Sequence, residues 1–142
     1  MQYVCDASAK MTWFRIETEG EAARESTDMG HAVDKHFRQA RDAAARAWKP
    51  PAGARYIEQD IGKADFVKRA MPIFLTLRDD DGGAHVTAML PPLGCPDAMF
   101  RPVVVGRSNS DPWPTHAAAI EKLATHYGMK LEHSRCYPYR RG

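Results

Sequence analysis

Hydrophobic and polar residues alternate in three segments of the chain, and this period of two predicts β-strands. In the first segment, Met11 to Thr18, aromatic and β-branched residues alternate with charged residues. Segments 73–78 and 84–90 follow the same pattern on either side of the acidic, glycine-containing residues 79–83. A short link of this composition favours a tight turn, so the two segments are predicted to form a β-hairpin.

A different period, close to 3.6 residues, predicts a long helix from about Asp28 to Trp48. Residues 21–25 (EAARE) are either its first turns or a separate short piece. Pro50 and Pro51 end the helix, because proline lacks the backbone donor and disfavours helical geometry in the residue before it. The apolar residues on one side of this helix are Met29, Val33, Phe37, Ala40, Ala44 and Trp48.

The segments between these elements carry weaker patterns. Residues 54–59 predict a short strand, and residues 63–71 predict a short helix that ends at Pro72. Residues 91–100 contain several prolines and are predicted to form an irregular loop. Residues 130–137 predict a final strand.

The segment from Pro102 to Gly128 gives the clearest succession of elements. Its three consecutive valines predict a buried strand, and the polar residues 107–111 predict a loop. Pro112 and Pro114 suit the first turn of a helix. Gly128 is predicted to end that helix in the left-handed conformation, with Met129 folding back onto the last turn.

The order of these elements predicts a single domain of the α+β class over residues 1–142. We expect a mixed, mostly antiparallel sheet with one long and one or two shorter helices packed on it, mainly on one face. The last strand either follows a right-handed parallel crossover or returns antiparallel. Residues 1–10 and 138–142 are predicted to be frayed termini.

Composition bounds the class of protein. The chain has 44% hydrophobic and 27% charged residues, as in ordinary globular proteins, and its net charge of +2 is far below that of a dedicated nucleic-acid binder. Three widely spaced cysteines favour a reducing compartment. Because the chain also lacks a long apolar run and a signal-peptide pattern, we predict a cytoplasmic protein with no membrane partner.

The loop before the last helix is the first candidate site, because hydroxyl, amide and guanidinium donors there precede the positive end of a helix. It lacks the glycine spacing of a nucleotide-binding loop, so no cofactor is predicted. The alternative is an ordinary helix start, with Asp111 or Thr115 as the cap and Trp113 packed against the sheet. The predicted anion- or partner-binding residues are Arg107, Ser108, Asn109, Ser110, Trp113, Thr115, Arg140 and Arg141.

The outer face of the long helix is the second candidate, since its basic side chains lie within one wide arc and suit phosphate contacts. Asp34 and Asp42 lie four residues before two of the cations, so a solvated face with internal ion pairs is the alternative. This secondary basic face comprises His31, Lys35, Arg38, Arg46 and Lys49.

No catalytic or metal-binding residue is assigned. His36 falls on the apolar side of the long helix, and Cys95 lies in the proline-rich loop; either could act only with partners that the sequence does not reveal. His133 and Cys136 are three apart in a predicted strand, which places them on opposite faces and disfavours a zinc site. Asp79, Asp80 and Asp81 lack the spacing of a calcium loop.

Three functions follow as hypotheses. The first is a small binding protein that recognises an anionic partner, nucleic acid first, through the 107–115 loop and the basic tail. The second is a protein-interaction module, such as an inhibitor or adaptor. The third is an enzyme that holds an anionic substrate at the 107–111 loop, which ranks lowest because no nucleophile, base and orienting group occur at a recognisable spacing.

Overall fold

Five strands form one antiparallel sheet in which each strand pairs with its neighbour in sequence. The computed structural model describes residues 1–8, 10–53, 55–93 and 101–136. The strands are β1 (Gln2–Asp6), β2 (Thr12–Arg15), β3 (Ile73–Arg78), β4 (Ala84–Leu90) and β5 (Val103–Val105). The predicted hairpin of β3 and β4 is confirmed, with Leu75 opposite Ala88.

Four α-helices accompany the sheet: α1 (Glu19–Met29), α2 (Val33–Ala47), α3 (Tyr56–Ala70) and α4 (Trp113–Tyr127). Two single 3₁₀ turns lie at Arg107–Asn109 and His133–Arg135. Helices α1 to α3 occupy the connection between β2 and β3, and α4 follows β5. The predicted α+β class is confirmed, and the sheet is antiparallel throughout.

Helices cover both faces of the sheet, so the prediction that they pack mainly on one face is wrong. On one face, α4 packs Ile120 and Leu123 against Leu75 and Leu77 of β3 and the buried Trp13 of β2. On the other face, Phe74 of β3 packs with α1 and α2, and the Phe37 and Phe74 rings lie 5.2 Å apart. This division follows from the alternation of side chains along β3.

The predicted long helix over residues 28–48 is wrong, because the chain breaks into α1 and α2 at Gly30. Gly30 adopts the left-handed conformation (φ 66°), and the amides of Gly30 and His31 both donate to the Ser26 carbonyl. This is a glycine C-cap, which ends a helix. Met29 and Val33 are both buried, so the apolar periodicity continues across the break and conceals it.

Residues 56–59 and 63–70 belong to one helix, α3, rather than to the predicted strand over 54–59 and short helix over 63–71; residue 54 lies outside the described residues. Gly62 lies inside α3 beside Trp48, and a Cβ on Gly62 would lie 3.7 Å from the Trp48 ring, an ordinary van der Waals distance. A single glycine lowers helix stability by only about 1 kcal/mol relative to alanine, so the helix continues through Gly62. Pro72 follows the end of α3, as predicted.

The start and end of α4 are confirmed. Pro114 occupies its first turn, Gly128 is left-handed (φ 65°), and the Met129 amide donates to the Ala124 carbonyl. The predicted strand over residues 130–137 is wrong for residues 130–136, the part of it that the structure describes. Met129 and Leu131 instead pack against the α4 face of the core, and the chain then forms the 3₁₀ turn at 133–135.

Near the N-terminus, β1 forms a paired edge strand where the sequence predicted a frayed end. Helix α1 begins with a reciprocal cap: the Glu21 amide donates to Thr18 Oγ1, and Glu21 Oε1 accepts from the Thr18 amide, both at 3.2 Å. Within the described residues, none of the helices combines the length and the apolar character needed to cross a bilayer.

Candidate functional site

A carboxylate is fully buried between α1 and the sheet. Glu25 is 0% exposed, and its two oxygens accept hydrogen bonds from three side chains. Thr76 donates at 2.9 Å and Arg78 Nη2 at 2.6 Å to Oε1, and Thr87 donates at 2.5 Å to Oε2. Because a buried carboxylate without donors is strongly destabilising, these three side chains are what allow Glu25 to occupy the core.

The guanidinium of Arg78 supplies the opposite charge. It is almost as buried as Glu25, and its remaining groups are also engaged: Nε donates to Thr76 Oγ1 at 3.2 Å, and Nη1 donates to the Gly82 carbonyl at 2.9 Å. In the described part of the chain, every buried side-chain nitrogen and oxygen has a hydrogen-bond partner. The ion pair therefore joins α1 to the turn of the β3–β4 hairpin.

The buried chain of hydrogen bonds continues to His31, in the link between α1 and α2. Its Nε2 lies 2.8 Å from Thr87 Oγ1. Since Thr87 gives its only hydroxyl proton to Glu25, Oγ1 must accept here, and Nε2 carries a proton. On the other side of the ring, the Val33 amide donates to Nδ1 at 3.4 Å. These two contacts together select the neutral imidazole, and burial lowers the pKa of His31 against the opposing influence of the Glu25 carboxylate.

A cavity of about 290 Å³ opens beside His31, between the start of α2, the β4–β5 edge and the turn at 107–109. Its polar lining residues are His31, His36, Thr87 and Asn109. Its apolar lining residues are Ala32, Val33, Ala88, Met89, Val103 and Val105. Among the described residues that line it, none is Asp, Glu, Lys or Arg, so the cavity is an uncharged concave surface.

The predicted anion-binding loop adopts the 3₁₀ turn at 107–109, and its arginine is engaged within the protein. The Arg107 guanidinium donates to the Asp28 carbonyl at the end of α1 and, at 3.3 Å, to the Ala84 carbonyl at the start of β4. Ser108 and Asn109 both have positive φ, at 55° and 59°. The turn closes through the Ser110 carbonyl, which accepts from the Gly106 amide at 2.7 Å.

The other predicted members of this site do not converge on Arg107. Trp113 is half-buried against the α4 face of the core, and its ring lies 5.0 Å from that of His133. Its amide donates to Asp111 Oδ1 at 3.0 Å, which agrees with the alternative of an ordinary helix start. Thr115 is exposed. Residues 140 and 141 lie outside the described residues, so the contribution of the two tail arginines stays a prediction.

The predicted secondary basic face is partly neutralised. Arg38 pairs with Asp34 at 3.1 Å, as the spacing suggested, and lies 3.9 Å from Glu19. His31 faces inward instead of joining the basic arc. The remaining cations of this face, Lys35, Arg46 and Lys49, are exposed.

A different basic surface, not predicted from the sequence, surrounds the C-terminal half of α3. One groove there is lined by Arg15, Phe66, Lys68 and Arg69, and by no carboxylate among its described residues. An adjoining groove shares Phe66 and Arg69 and adds Trp48 and Lys49. We call the combined region the α3 basic surface; its members are Arg15, Trp48, Lys49, Phe66, Lys68 and Arg69.

Glu58 and Glu17 lie beside the α3 basic surface, and both are paired; Arg15 and Lys68 also line a neighbouring groove that contains Glu19, Asp42 and Asp60. Glu58 lines the second groove and bonds Arg55 Nη2 at 3.2 Å. Glu17 lies 3.5 Å from the Lys68 ammonium. Arg69 has no ion-pair partner among the described residues. The surface therefore keeps a positive excess around two aromatic rings.

The other candidate groups are dispersed. His36, placed by the sequence on the apolar side of the long helix, is exposed and lines the mainly apolar cavity together with Val33. Asp79 holds the hairpin turn, since its Oδ1 accepts from the Asp81 and Gly83 amides at 2.9 Å and its Oδ2 pairs with His85 at 2.7 Å. The described residues contain no group of three or more His, Cys, Asp or Glu side chains placed to hold a metal ion.

Cys136 and Cys95 are the remaining candidate residues, and the structure describes the first of them. Cys136 is buried beside the α4 face, and burial raises its pKa to about 11, which keeps it a thiol at neutral pH. Cys95 lies outside the described residues, and its role stays a prediction.

Comparison with known proteins gives no relative: no protein-family model, curated protein or solved structure matches this chain.

The residues that sequence reasoning missed left only a faint signal. Thr76 and Thr87 interrupt otherwise apolar strands, and the register places them directly opposite each other. Two polar residues on the helix-facing side of adjacent strands indicate a buried polar partner on the covering helix. Glu25 is that partner, but it lies in the charged segment EAARE. An acidic residue in such a segment is equally compatible with an exposed helix face, so the segment does not indicate that Glu25 is buried.

Proposed function

We propose that this chain binds an anionic macromolecule, nucleic acid first, through the α3 basic surface. The observation that carries the proposal is the adjoining pair of grooves at α3, where four cations and two aromatic rings face one paired carboxylate. Cations contact phosphates, and aromatic rings offer stacking surfaces to unpaired bases. This combination favours single-stranded over double-stranded nucleic acid.

The location differs from the one that the sequence suggested. Arg107 is occupied by two backbone carbonyls, whereas Arg69 and Lys49 are exposed and have no partner among the described residues. A cation without an internal partner can exchange its counterion for a phosphate at no cost to the fold. The α3 basic surface is therefore the better-equipped region for this function.

The test is binding of a fluorescein-labelled 20-nucleotide oligo(dT), and of a duplex of equal length, measured by fluorescence anisotropy at several salt concentrations. We expect the single strand to bind, with an affinity that falls as salt rises. Arg69→Gln should weaken binding about three- to tenfold and lower the salt slope by about 0.7. Lys35→Gln, on the outer face of α2, removes the same charge and should change the affinity less than twofold.

Two results would contradict the proposal. One is undetectable binding at low salt, or binding that does not respond to salt. The other is an equal loss from Lys35→Gln and Arg69→Gln, which would mean that only net charge matters.

A protein-interaction module is the second candidate, favoured by exposed apolar side chains. Tyr56 and Ile61, both on α3, are 80% and 61% exposed. Exposed large apolar groups on one element often belong to protein interfaces. If this function holds, Ile61→Ser should abolish a one-to-one complex with a purified protein partner and leave oligo(dT) affinity unchanged. Retention of the complex by this variant would remove α3 from consideration as the interface.

A further inference from the structure

The cavity beside His31 has the properties of a small-molecule site that is separate from the α3 basic surface. It lies at the β5 edge of the sheet, between the first turn of α2 and the turn at 107–109. Most of its wall consists of aliphatic side chains, including Val33, Val105 and Met89. A concave, mainly apolar surface with a few polar groups at one end is the usual form of a ligand pocket.

The polar groups in the wall differ in what they can offer a ligand. Thr87 and His31 are both committed to the chain of hydrogen bonds that starts at Glu25. Thr87, which donates to Glu25 and also lines the cavity, is the neutral side chain that separates the Glu25 carboxylate from the cavity. His36, in contrast, is exposed and has no hydrogen-bond partner among the described residues. Asn109, the remaining polar residue of the wall, also interacts within the protein, so the His36 imidazole is the group available to a ligand.

The volume sets the size of the ligand. Apolar cavities of about 150 Å³ accept benzene in engineered proteins. The cavity here, at about 290 Å³, is roughly twice that size and suits a bicyclic ring system. The uncharged wall disfavours an ionised ligand, because no fixed charge in it would repay the loss of hydration.

We propose that this cavity binds a small, uncharged, planar aromatic molecule that carries one hydrogen-bonding group, which His36 recognises. The aromatic ring lies against the valine side chains, and the polar group of the ligand faces the mouth where His36 lies. Indole is the simplest probe of this class, since it is bicyclic, uncharged and has a single N–H donor.

The experiment is a titration of the full ¹⁵N-labelled chain with indole, followed by amide chemical shifts, with benzoate as the charged comparison. We expect saturable shifts at Val33, Thr87 and Val105, and no saturable shifts there with benzoate. His36→Ala should weaken indole binding about three- to tenfold, as expected for one hydrogen bond. His126→Ala, at an exposed histidine on α4, is the matched control and should leave the affinity unchanged.

Two further variants test the location. Val103→Phe should fill the cavity and abolish the shifts; Ala32→Leu, at an exposed wall residue, tests the same point if the first variant does not fold. The proposal is overturned by an absence of saturable shifts with indole, or by equal binding of benzoate. It is also overturned if the shifts map to Trp48 and Phe66, since indole would then occupy the α3 basic surface.

Discussion

The two faces of the β3–β4 hairpin are built from the same strands but hold their helices in different ways. The face toward α4 is apolar, with Leu75, Leu77 and Val86 fully buried, and Trp13 Nε1 there donates to the Ala119 carbonyl at 2.8 Å. The face toward α1 is apolar at Phe74 and Met89, and it becomes polar at Thr76 and ionic at Arg78.

The two faces therefore stabilise the fold in different ways. Apolar contact is non-directional, so the α4 face is stabilised by the area that it buries. The α1 face is stabilised only while each donor meets its acceptor, because a single missing partner leaves a buried charge. The α4 face therefore tolerates small shifts of the helix, whereas the α1 face fixes the position of α1 on the hairpin.

The largest effect is expected from breaking the ionic face. Arg78→Met removes the counter-charge of Glu25 and should lower the free energy of unfolding by about 3 to 5 kcal/mol, the usual cost of leaving one member of a buried pair. Urea unfolding followed by circular dichroism measures the change.

The matched control is the double variant Glu25→Leu with Arg78→Met, which removes both charges. It should recover at least half of the loss, since an apolar pair of similar volume is often no less stable than a buried ion pair. If the double variant is less stable than Arg78→Met alone, the packing around the pair, rather than its charge, is what stabilises α1.

A somewhat smaller effect is expected on the apolar face. Leu123 of α4 is fully buried, and Leu123→Ala should cost about 3 kcal/mol through lost burial and the cavity left behind. The loss should be the same at pH 5.5 and pH 7.5, because no titratable group takes part in that contact. A loss that depended on pH would show that the two faces are coupled.

The smallest expected effect is a dependence of stability on pH, which arises at His31 beside the α1 face. Burial lowers the pKa of His31 below its usual range near about 6.5, so the unfolded chain binds a proton more readily than the folded one. The stability from neutral His31 is complete above about pH 6.5 and is lost as the pH falls toward the lowered value. Burial also lowers the pKa of His116, which adds a change of the same sign.

His31→Gln tests this dependence, because glutamine keeps a donor toward Thr87 but takes up no proton. Unfolding free energies at pH 7.5 and 5.5 should fall less in this variant than in the parent chain. His116 titrates in both proteins and so cancels from the difference. Identical pH dependence in the two proteins would assign the acid sensitivity to other groups.

The sequence predicted the elements whose signals are local. The β3–β4 hairpin carries its turn between two alternating strands, and α4 has prolines at its start and a glycine at its end. The break at Gly30 was missed because buried residues recur at the same spacing on both sides of it. Helix α3 was divided because two of its first residues, Tyr56 and Ile57, are aromatic and β-branched types that also favour a strand.

The candidate sites were less predictable than the fold, because each depends on residues that are distant in the chain. The network joins Glu25 to Thr76 and Thr87 through the strand register. The α3 basic surface brings Arg15 next to Lys68, whose carbonyl accepts from the Arg15 guanidinium at 3.4 Å. No local sequence pattern links such residues. An anion-binding site was predicted at the 107–111 loop because the polar residues there are consecutive.

The strand order also has a kinetic consequence. Each strand pairs with the next, yet the chain between β2 and β3 contains three helices and is about ten times as long as the turn between β3 and β4. Closing that longer connection costs roughly 2 kcal/mol more in chain entropy. The β3–β4 hairpin should therefore form early. The slow step of folding should be the pairing of β2 with this hairpin, together with the packing of α1 against Arg78.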